Sequence, residues 1–324
     1  MERLKMFMWP LAMTILAMVG FATIVGFIGG WGWLMELTTH LRWQYLLVLV
    51  GLVIIFMVGK RPMPALLSLL FGAINLAVVL PLYVGGDFSP ASTATTYRAL
   101  MLNVLWVNED VDSVKTFIQK TNADFVVLTE VVPAWEAELA SLRSIYPYGD
   151  EVAYFRSSHG VMFFSRVPLV EGKIFRLQDG ERPSVVAHLD FPDRPLTVIG
   201  MHPPAPVSPT RINLRNEQLA AMAEFASSQN NAVFLMGDLN ITPWSPYFAD
   251  FLEKSGLQNG RSGYGLQTTW PAQIPLMRIP IDHALVSPEI IIHDFKAGPN
   301  VGSDHLPIII EFSIQPDNER LLES

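Results

Sequence analysis

Residues 231–245 read NAVFLMGDLNITPWS. The apolar run Ala232, Val233, Phe234, Leu235 and Met236 has the length and composition of a strand buried on both faces. It then stops on Gly237, Asp238 and Asn240. A carboxylate abutting a buried strand costs on the order of several kcal/mol unless a metal, a hydrogen bond or an opposite charge compensates it. The same pattern recurs along the chain. ALMLNVL holds Asn103 within an apolar run, DFVVLTEV ends near Glu130, and TVIGMHPPAP reaches His202. IDHAL opens with Asp282, and VGSDHLPIII carries Asp304 and His305 just before its apolar stretch. If these strand ends converge at one edge of packed sheets, their side chains surround a cation and a phosphate. Glu, Asp, Asn and His without cysteine favour a hard, oxygen-bound ion, Mg²⁺ or Mn²⁺, over structural zinc. None of the seven histidines has a His-x-His or His-Glu-x-x-His spacing.

The runs that build such sheets fall at 99–105, 125–128, 161–164, 185–189, 196–200, 232–236, 284–286 and 306–312. Helical patterns at 110–120 and 210–227 lie between some of them. Many strands with few helices between them predict packed sheets with helices outside, because a wholly parallel sheet needs a crossover helix after nearly every strand.

Ahead of this region the composition changes. The first 84 of 324 residues hold only seven charged side chains. Three stretches, 7–33, 43–59 and 63–84, lack Asp, Glu, Lys and Arg altogether. About 20 helical residues cross a hydrocarbon core of about 30 Å, so the reading is a three-span transmembrane anchor over 1–84, with the middle span the weakest. Trp31, Trp33, Trp43, Tyr45 and Tyr83 sit where interfacial aromatics fall. Arg3, Lys5, Lys60 and Arg61 place the amino terminus in the cytoplasm, which puts the remainder in an extracytoplasmic, periplasmic-type compartment as part of a multi-pass inner-membrane protein. A small, polar linker, 85–96, follows, and the expected catalytic domain covers 97–324. After Val84 there are 17 Lys and Arg against 28 Asp and Glu, which weighs against a pure nucleic-acid-coating module.

Seven motifs taken in order carry a resemblance. Asn103, LTEV at 128–131, GVMFFSRVPL at 160–169, HPPAP at 202–206, GDLNITPWS at 237–245, IDHALVS at 281–287 and GSDHLP at 302–307 resemble the endonuclease/exonuclease/phosphatase superfamily. The resemblance spans about residues 97–313. It implies a four-layer α/β/β/α sandwich of two packed mixed sheets and a Mg²⁺-dependent (Mn²⁺ possible) phosphoesterase.

The resemblance also implies roles. Glu130, Asn103 and Asp304 are expected at the metal. Asp238 is expected to orient the attacking water, with Asn240 two residues on, facing the same way and donating to phosphate; a turn-forming Asp-x-Asn is the alternative reading. Asp282 is expected to fix the tautomer of His305, and His202 to assist the leaving group or bind phosphate. Arg211 and Arg215, on one helical face, and Trp270 are expected at the substrate, although a solvated stripe and core packing are open alternatives for them. His283 points away from Asp282 in an extended segment and reads as structural. The substrate is a phosphodiester or phosphomonoester, from either nucleic acid or a lipid headgroup at the bilayer; a catalytically inactive membrane scaffold is the third reading. No protein partner is expected.

Overall fold

The computed structural model describes residues 2–85, 95–155, 158–177 and 184–316. Residues 86–94, most of the expected linker, lie outside the described residues.

Two six-stranded sheets form the body of the molecule. The first contains β1 (Tyr97–Asn103), β2 (Phe125–Val131), β3 (Tyr148–Phe155), β4 (Ser158–Ser165), β11 (Ile290–Ala297) and β12 (Ile308–Ile314), in the order β11-β12-β1-β2-β4-β3. The second contains β5 (Leu169–Leu177), β6 (Ser184–Leu189), β7 (Leu196–Met201), β8 (Ala232–Asp238), β9 (Gln258–Asn259) and β10 (Asp282–Val286), in the order β5-β6-β7-β8-β10-β9. Each has one parallel pair at its centre, β1 with β2 and β7 with β8, flanked by antiparallel neighbours. A crossover carries the chain between each parallel pair, as parallel strands require.

Alternation along the inner strands decides what packs where. Ala99, Met101, Phe125 and Val127 face Val185, Val198, Phe234 and Met236 across the space between the sheets. Phe234 stands edge-on to Phe125 and Phe312, with ring centroids 5.4 and 5.0 Å away. Leu100, Leu102, Val126 and Leu128 point the other way, beneath Val114 and Ile118 of α5 (Val111–Thr121) and Trp135 of α6 (Pro133–Leu139). On the far side, Ile199, Val233 and Leu235 lie under Leu219 and Met222 of α7 (Pro209–Ser227) and Phe248 of α8 (Pro246–Ser255). Helices therefore cover both outer faces, as the four-layer reading requires. Side-chain caps begin them: Asp110 accepts from the Ser113 N–H, Ser208 from Arg211 and Ser245 from Tyr247.

The N-terminal region is a helical bundle of α1 (Glu2–Val25), α3 (Arg42–Val58) and α4 (Pro62–Val79), closed around Leu16, Leu49, Leu52 and Phe56. Its outward faces expose Phe7, Phe21, Ile54, Val58 and Leu66. Among the described residues two segments, not the three expected, have the length and composition to cross a membrane: Phe7–Trp31 and Pro62–Leu82. The middle helix, Arg42–Val58, has 17 residues. At about 1.5 Å per residue it falls short of a hydrocarbon core of about 30 Å. Between α1 and α3 the chain makes an elbow, residues 26–41, that includes the five-residue α2 (Trp33–Leu37). The elbow rests on the sandwich, and Trp33 Nε1 donates to the Pro206 carbonyl at 2.9 Å. The end of α4 touches it as well: Gly265 N–H donates to Leu82 O at 2.7 Å, while Trp244 packs with Val79 and Leu82.

Gly237 explains how β8 and β7 run so close where they reach their polar ends. A Cβ there would lie 1.9 Å from the Met201 carbonyl oxygen, which is main chain and has nowhere to go. Gly237→Ala is expected to cost about 1–3 kcal/mol as an overpacked core substitution does, read as a lower thermal midpoint. Gly51→Ala, with nothing within 4 Å of the new atom, should not lower it. An unchanged midpoint for Gly237→Ala contradicts this packing.

Candidate active site

The strand ends do converge. Asn103 closes β1, and its Nδ2 lies 3.1 Å from Glu130 Oε1, 3.1 Å from Asp238 Oδ2 and 3.5 Å from His305 Nε2. Asn103 Oδ1 accepts from the Leu105 N–H, which fixes the amide's orientation. Glu130 sits at a register shift between Thr129 and Val131, with φ of 59°. Left-handed backbone at a bulge is costly for a glutamate, and it re-aims the side chain off the sheet and into the site.

Asp238 ends β8 directly opposite Asp282 at the start of β10. Asp282 Oδ2 accepts from His305 Nδ1 at 2.8 Å, which holds the imidazole with Nε2 directed 3.6 Å from Asp238 Oδ2. His202 lies on the other side of Asp238, its Nδ1 3.1 Å from the Asp238 carbonyl and its Nε2 3.5 Å from Glu130 Oε1. Behind the site, Ser303 Oγ donates to Asn103 O at 2.6 Å and accepts from the His305 N–H at 3.0 Å, joining the last site loop to β1. The buried guanidinium of Arg261 donates to the Asp282 carbonyl and stacks over Phe295.

Burial sets the electrostatics. It pushes the Asp238 carboxyl up, against the pull of His305 and His202. Burial also opposes charge on His305, but Asp282, Asp238 and Asp304 outweigh it and raise the imidazole to about 10. For Glu130, burial is overcome by hydrogen bonds and charge from His202, Asn103 and the Trp106 N–H, which hold it well below the usual carboxylate range. His283, the next residue after Asp282, packs on Phe248 and meets the Ile241 carbonyl at 2.8 Å; burial lowers it to about 3. It takes no part in the site.

Three expectations need correction or refinement. Asn240 does not continue an extended strand: φ is 52°, and its N–H donates to Asp238 Oδ1 at 3.0 Å, so Asp238-Leu239-Asn240 is a turn. Both side chains still line the pocket. Arg215 does not face a phosphate. It is fully buried, and its Nη2 donates to both oxygens of Glu36 at 2.6 and 2.7 Å while Nη1 donates to the Asn240 carbonyl at 3.0 Å. Its charge is consumed by the elbow. Arg211, one turn earlier, does line the pocket, as does Trp270, whose Nε1 donates to Asp304 Oδ2 at 3.0 Å. Among the described residues Asp238, Asp282 and His305 also bring candidate ligand atoms within 4.8 Å of one another, and this cluster adjoins Asn103 and Glu130.

The donor set fits a divalent cation. Four carboxylates (Glu130, Asp238, Asp282 and Asp304) surround two imidazoles, so protonating both still leaves negative charge in excess in a buried place. Asp282 Oδ1 is buried with no hydrogen-bond partner among the described residues. A dication would offset this excess.

Comparison with known proteins agrees with this arrangement. A model of the Endonuclease/Exonuclease/phosphatase family matches residues 101–305. The chain belongs to this family. An endonuclease/exonuclease/phosphatase from Beutenbergia cavernae superposes with a TM-score of 0.55 at 20% identity, covering 68% of this chain and 72% of that one. A Bacteroides vulgatus endonuclease/exonuclease/phosphatase gives 0.57 at 14%, covering 68% and 100%. D. rerio TDP2 complexed with a single-strand DNA product gives 0.57 at 15%, covering 68% and 99%. At these identities the structural likenesses speak for the fold. No curated protein matches the chain at the sequence level.

The sequence reading missed Glu36 and its elbow. The signal was present: apart from Glu2 it is the only acid in the first 84 residues. Within the metal-free protein, His305 should stay protonated above pH 8 in imidazole ¹⁵N spectra. Its folded value exceeds the unfolded value of about 6.5, so its charge stabilises the fold below pH 6.5, and that contribution is lost as pH rises through about 10. Asp282→Asn should lower the titration by about 1–3 pH units; titration of the unsubstituted protein near 6.5 would contradict the dyad.

Proposed function

We propose that this family member is a divalent-metal-dependent phosphoesterase that hydrolyses a phosphodiester with an activated water, and that it does so as a membrane-anchored protein. The observation that supports this most strongly is the convergence of Asn103, Glu130, His202, Asp238, Asp282 and His305, from six separate segments, into one contact cluster, four of whose members line the pocket. A bound Mg²⁺ or Mn²⁺ supplies charge stabilisation at a phosphoryl oxygen, and Glu130, Asn103 and Asp304 would hold it, with the Asp238 cluster beside them.

The side chains divide the remaining work. Asp238 accepts a hydrogen bond from the attacking water and orients it. His305, its Nδ1 held by Asp282, offers Nε2 to a phosphate oxygen. Asn240 uses one amide hydrogen on the Pro203 carbonyl and has a second for the phosphate. His202 stands near the leaving group. The water oxygen joins phosphorus and gives up a proton to Asp238, one P–O ester bond breaks, and the departing alkoxide takes up a proton to leave as the alcohol.

A nuclease reading draws on the neighbour complexed with a DNA product. The acidic balance of the chain and a pocket whose described lining holds one Lys or Arg, Arg211, favour a substrate other than a long polyanion. Membrane placement draws on the exposed apolar belt of α1, α3 and α4 and on the position of the basic residues. Lys60 and Arg61 lie at the end of the bundle away from the elbow, where Arg61 stacks on Trp9. With α3 returning the chain from the elbow to Lys60 and Arg61 in spite of its 17 residues, the rule that cytoplasmic loops carry Lys and Arg puts the sandwich on the outer side in this reading.

Removing the metal with a chelator, or replacing Asp238 or His305 with alanine, should lower kcat/KM on bis(4-nitrophenyl) phosphate by about 10²–10⁴-fold, with added Mg²⁺ restoring only the chelated enzyme. Undiminished hydrolysis in the variants would remove the pocket as the site; no hydrolysis by any form would leave the scaffold reading. For placement, alkaline phosphatase fused after Ser324 should be active on the outer side of the membrane, and cytoplasmic reporter activity there would contradict the orientation.

A further inference from the structure

We infer that the elbow between the first two apolar helices is a wall of the active site, and that it selects a membrane lipid, a phosphodiester carrying a large apolar group, as the substrate. This rests on the phosphoesterase reading above and adds the substrate class and the residues that choose it.

The pocket that contains the catalytic groups has a volume of about 590 Å³, and part of its lining belongs to the elbow: Leu37, His40 and Leu41 line it together with Ile279 and Ile281. The elbow is fixed there. Glu36 and Arg215 form a fully buried ion pair, Ser245 Oγ donates to Glu36 Oε1 at 2.8 Å, and His40 Nδ1 lies 3.0 Å from Thr242 Oγ1. An ion pair removed from water holds its place because breaking it strands a charge, so Glu36 and Arg215 specify where the elbow sits. Arg215 also binds the carbonyl of Asn240. One guanidinium therefore positions both the elbow and a phosphate-facing turn. Glu36 and Arg215 are positioning residues; Leu37 and Leu41 are in contact with the pocket itself.

The lining is mixed: Glu130, Asp238, Asp304, His202 and His305 share this cavity with Leu37, Leu41, Pro206, Val207, Ile279 and Ile281, and Arg211 is the one Lys or Arg among the described lining residues. A nucleic acid, charged at every step, gains little from such walls. A headgroup phosphate attached to a glycerol or ceramide backbone matches both kinds of lining. The rim continues the pattern: Val207, Ile274 and Leu276 are 69%, 54% and 70% exposed, which is expensive in water and favourable at a bilayer surface. Gln44, in the first turn of α3, donates to the Arg278 carbonyl at 3.0 Å, so this rim adjoins the apolar bundle.

The test uses the full chain in proteoliposomes of phosphatidylethanolamine, phosphatidylglycerol and sphingomyelin in equal parts, with bis(4-nitrophenyl) phosphate and single-stranded DNA as the other substrates. The unsubstituted protein should release headgroup product from the vesicles and leave the DNA intact. Leu37→Gln and Leu41→Gln should each lose at least tenfold in kcat/KM on lipid and at least five times less than that on the soluble diester, whose turnover also reports that each variant is folded. Leu37→Met should retain lipid turnover. Cleavage of DNA but not of lipid, or equal losses on lipid and soluble diester in both glutamine variants, would overturn the inference while leaving the phosphoesterase reading intact. If the unsubstituted protein turns over neither lipid nor soluble diester nor DNA, that reading fails and takes this one with it.

Discussion

Charge held out of water is the constraint on which this structure turns. Asp238 and Asp282 stand at the ends of two adjacent strands whose preceding or following residues are all buried, and both carboxylates are themselves buried. Such groups persist only where compensation is built around them. Here it comes from His305 and His202 and from the Asn103 amide, and the negative charge left over makes a cation welcome. Each partner sits on a different strand or loop, so the compensation cannot form until both sheets have packed. The site and the sandwich are in this sense one achievement of folding, and Gly237, which lets β8 approach Met201, belongs to both.

The same principle operates a second time, farther from the chemistry. Glu36 would be an intolerable residue in an apolar segment were Arg215 not buried against it. That pair joins the N-terminal bundle to the helix behind the Asn240 turn. An anchor that only tethered the domain would need no such contact, and it would not supply Leu37 and Leu41 to the cavity. Arg42 shows a third instance, buried beside Thr23 and Asn75 within the bundle, with its Nη1 donating to the Thr23 carbonyl at 2.8 Å. Polar groups inside this protein mark joints between its parts.

Much of this was legible in the chain, for a physical reason. The eight apolar runs read as strands are the eight interior strands of the two sheets, mostly buried on both faces and therefore nearly continuous in hydrophobicity. The four that escaped notice, β3, β5, β9 and β11, are the four sheet edges. An edge strand such as β11, IIIHDFKA, mixes buried and half-exposed positions around a register shift and gives no clean period. The convergence of polar strand ends was legible because desolvation makes each of them conspicuous. Asn240's turn was not, since the side chain's direction depends on a left-handed backbone that Asp-x-Asn permits without requiring. Arg215 was misread because a helix face cannot tell which of two neighbours, a substrate or Glu36 some 180 positions earlier, will claim its charge.

The account stands on the gathering of Glu130, Asp238 and their neighbours around one divalent ion. Calorimetric titration of the chelator-treated protein with Mn²⁺ tests that directly. The account predicts a single saturable site in the unsubstituted chain that is lost, or weakened at least tenfold, in Glu130→Ala with no change in thermal midpoint large enough to signal unfolding. Absence of binding in the unsubstituted chain, or undiminished binding in Glu130→Ala, would contradict it.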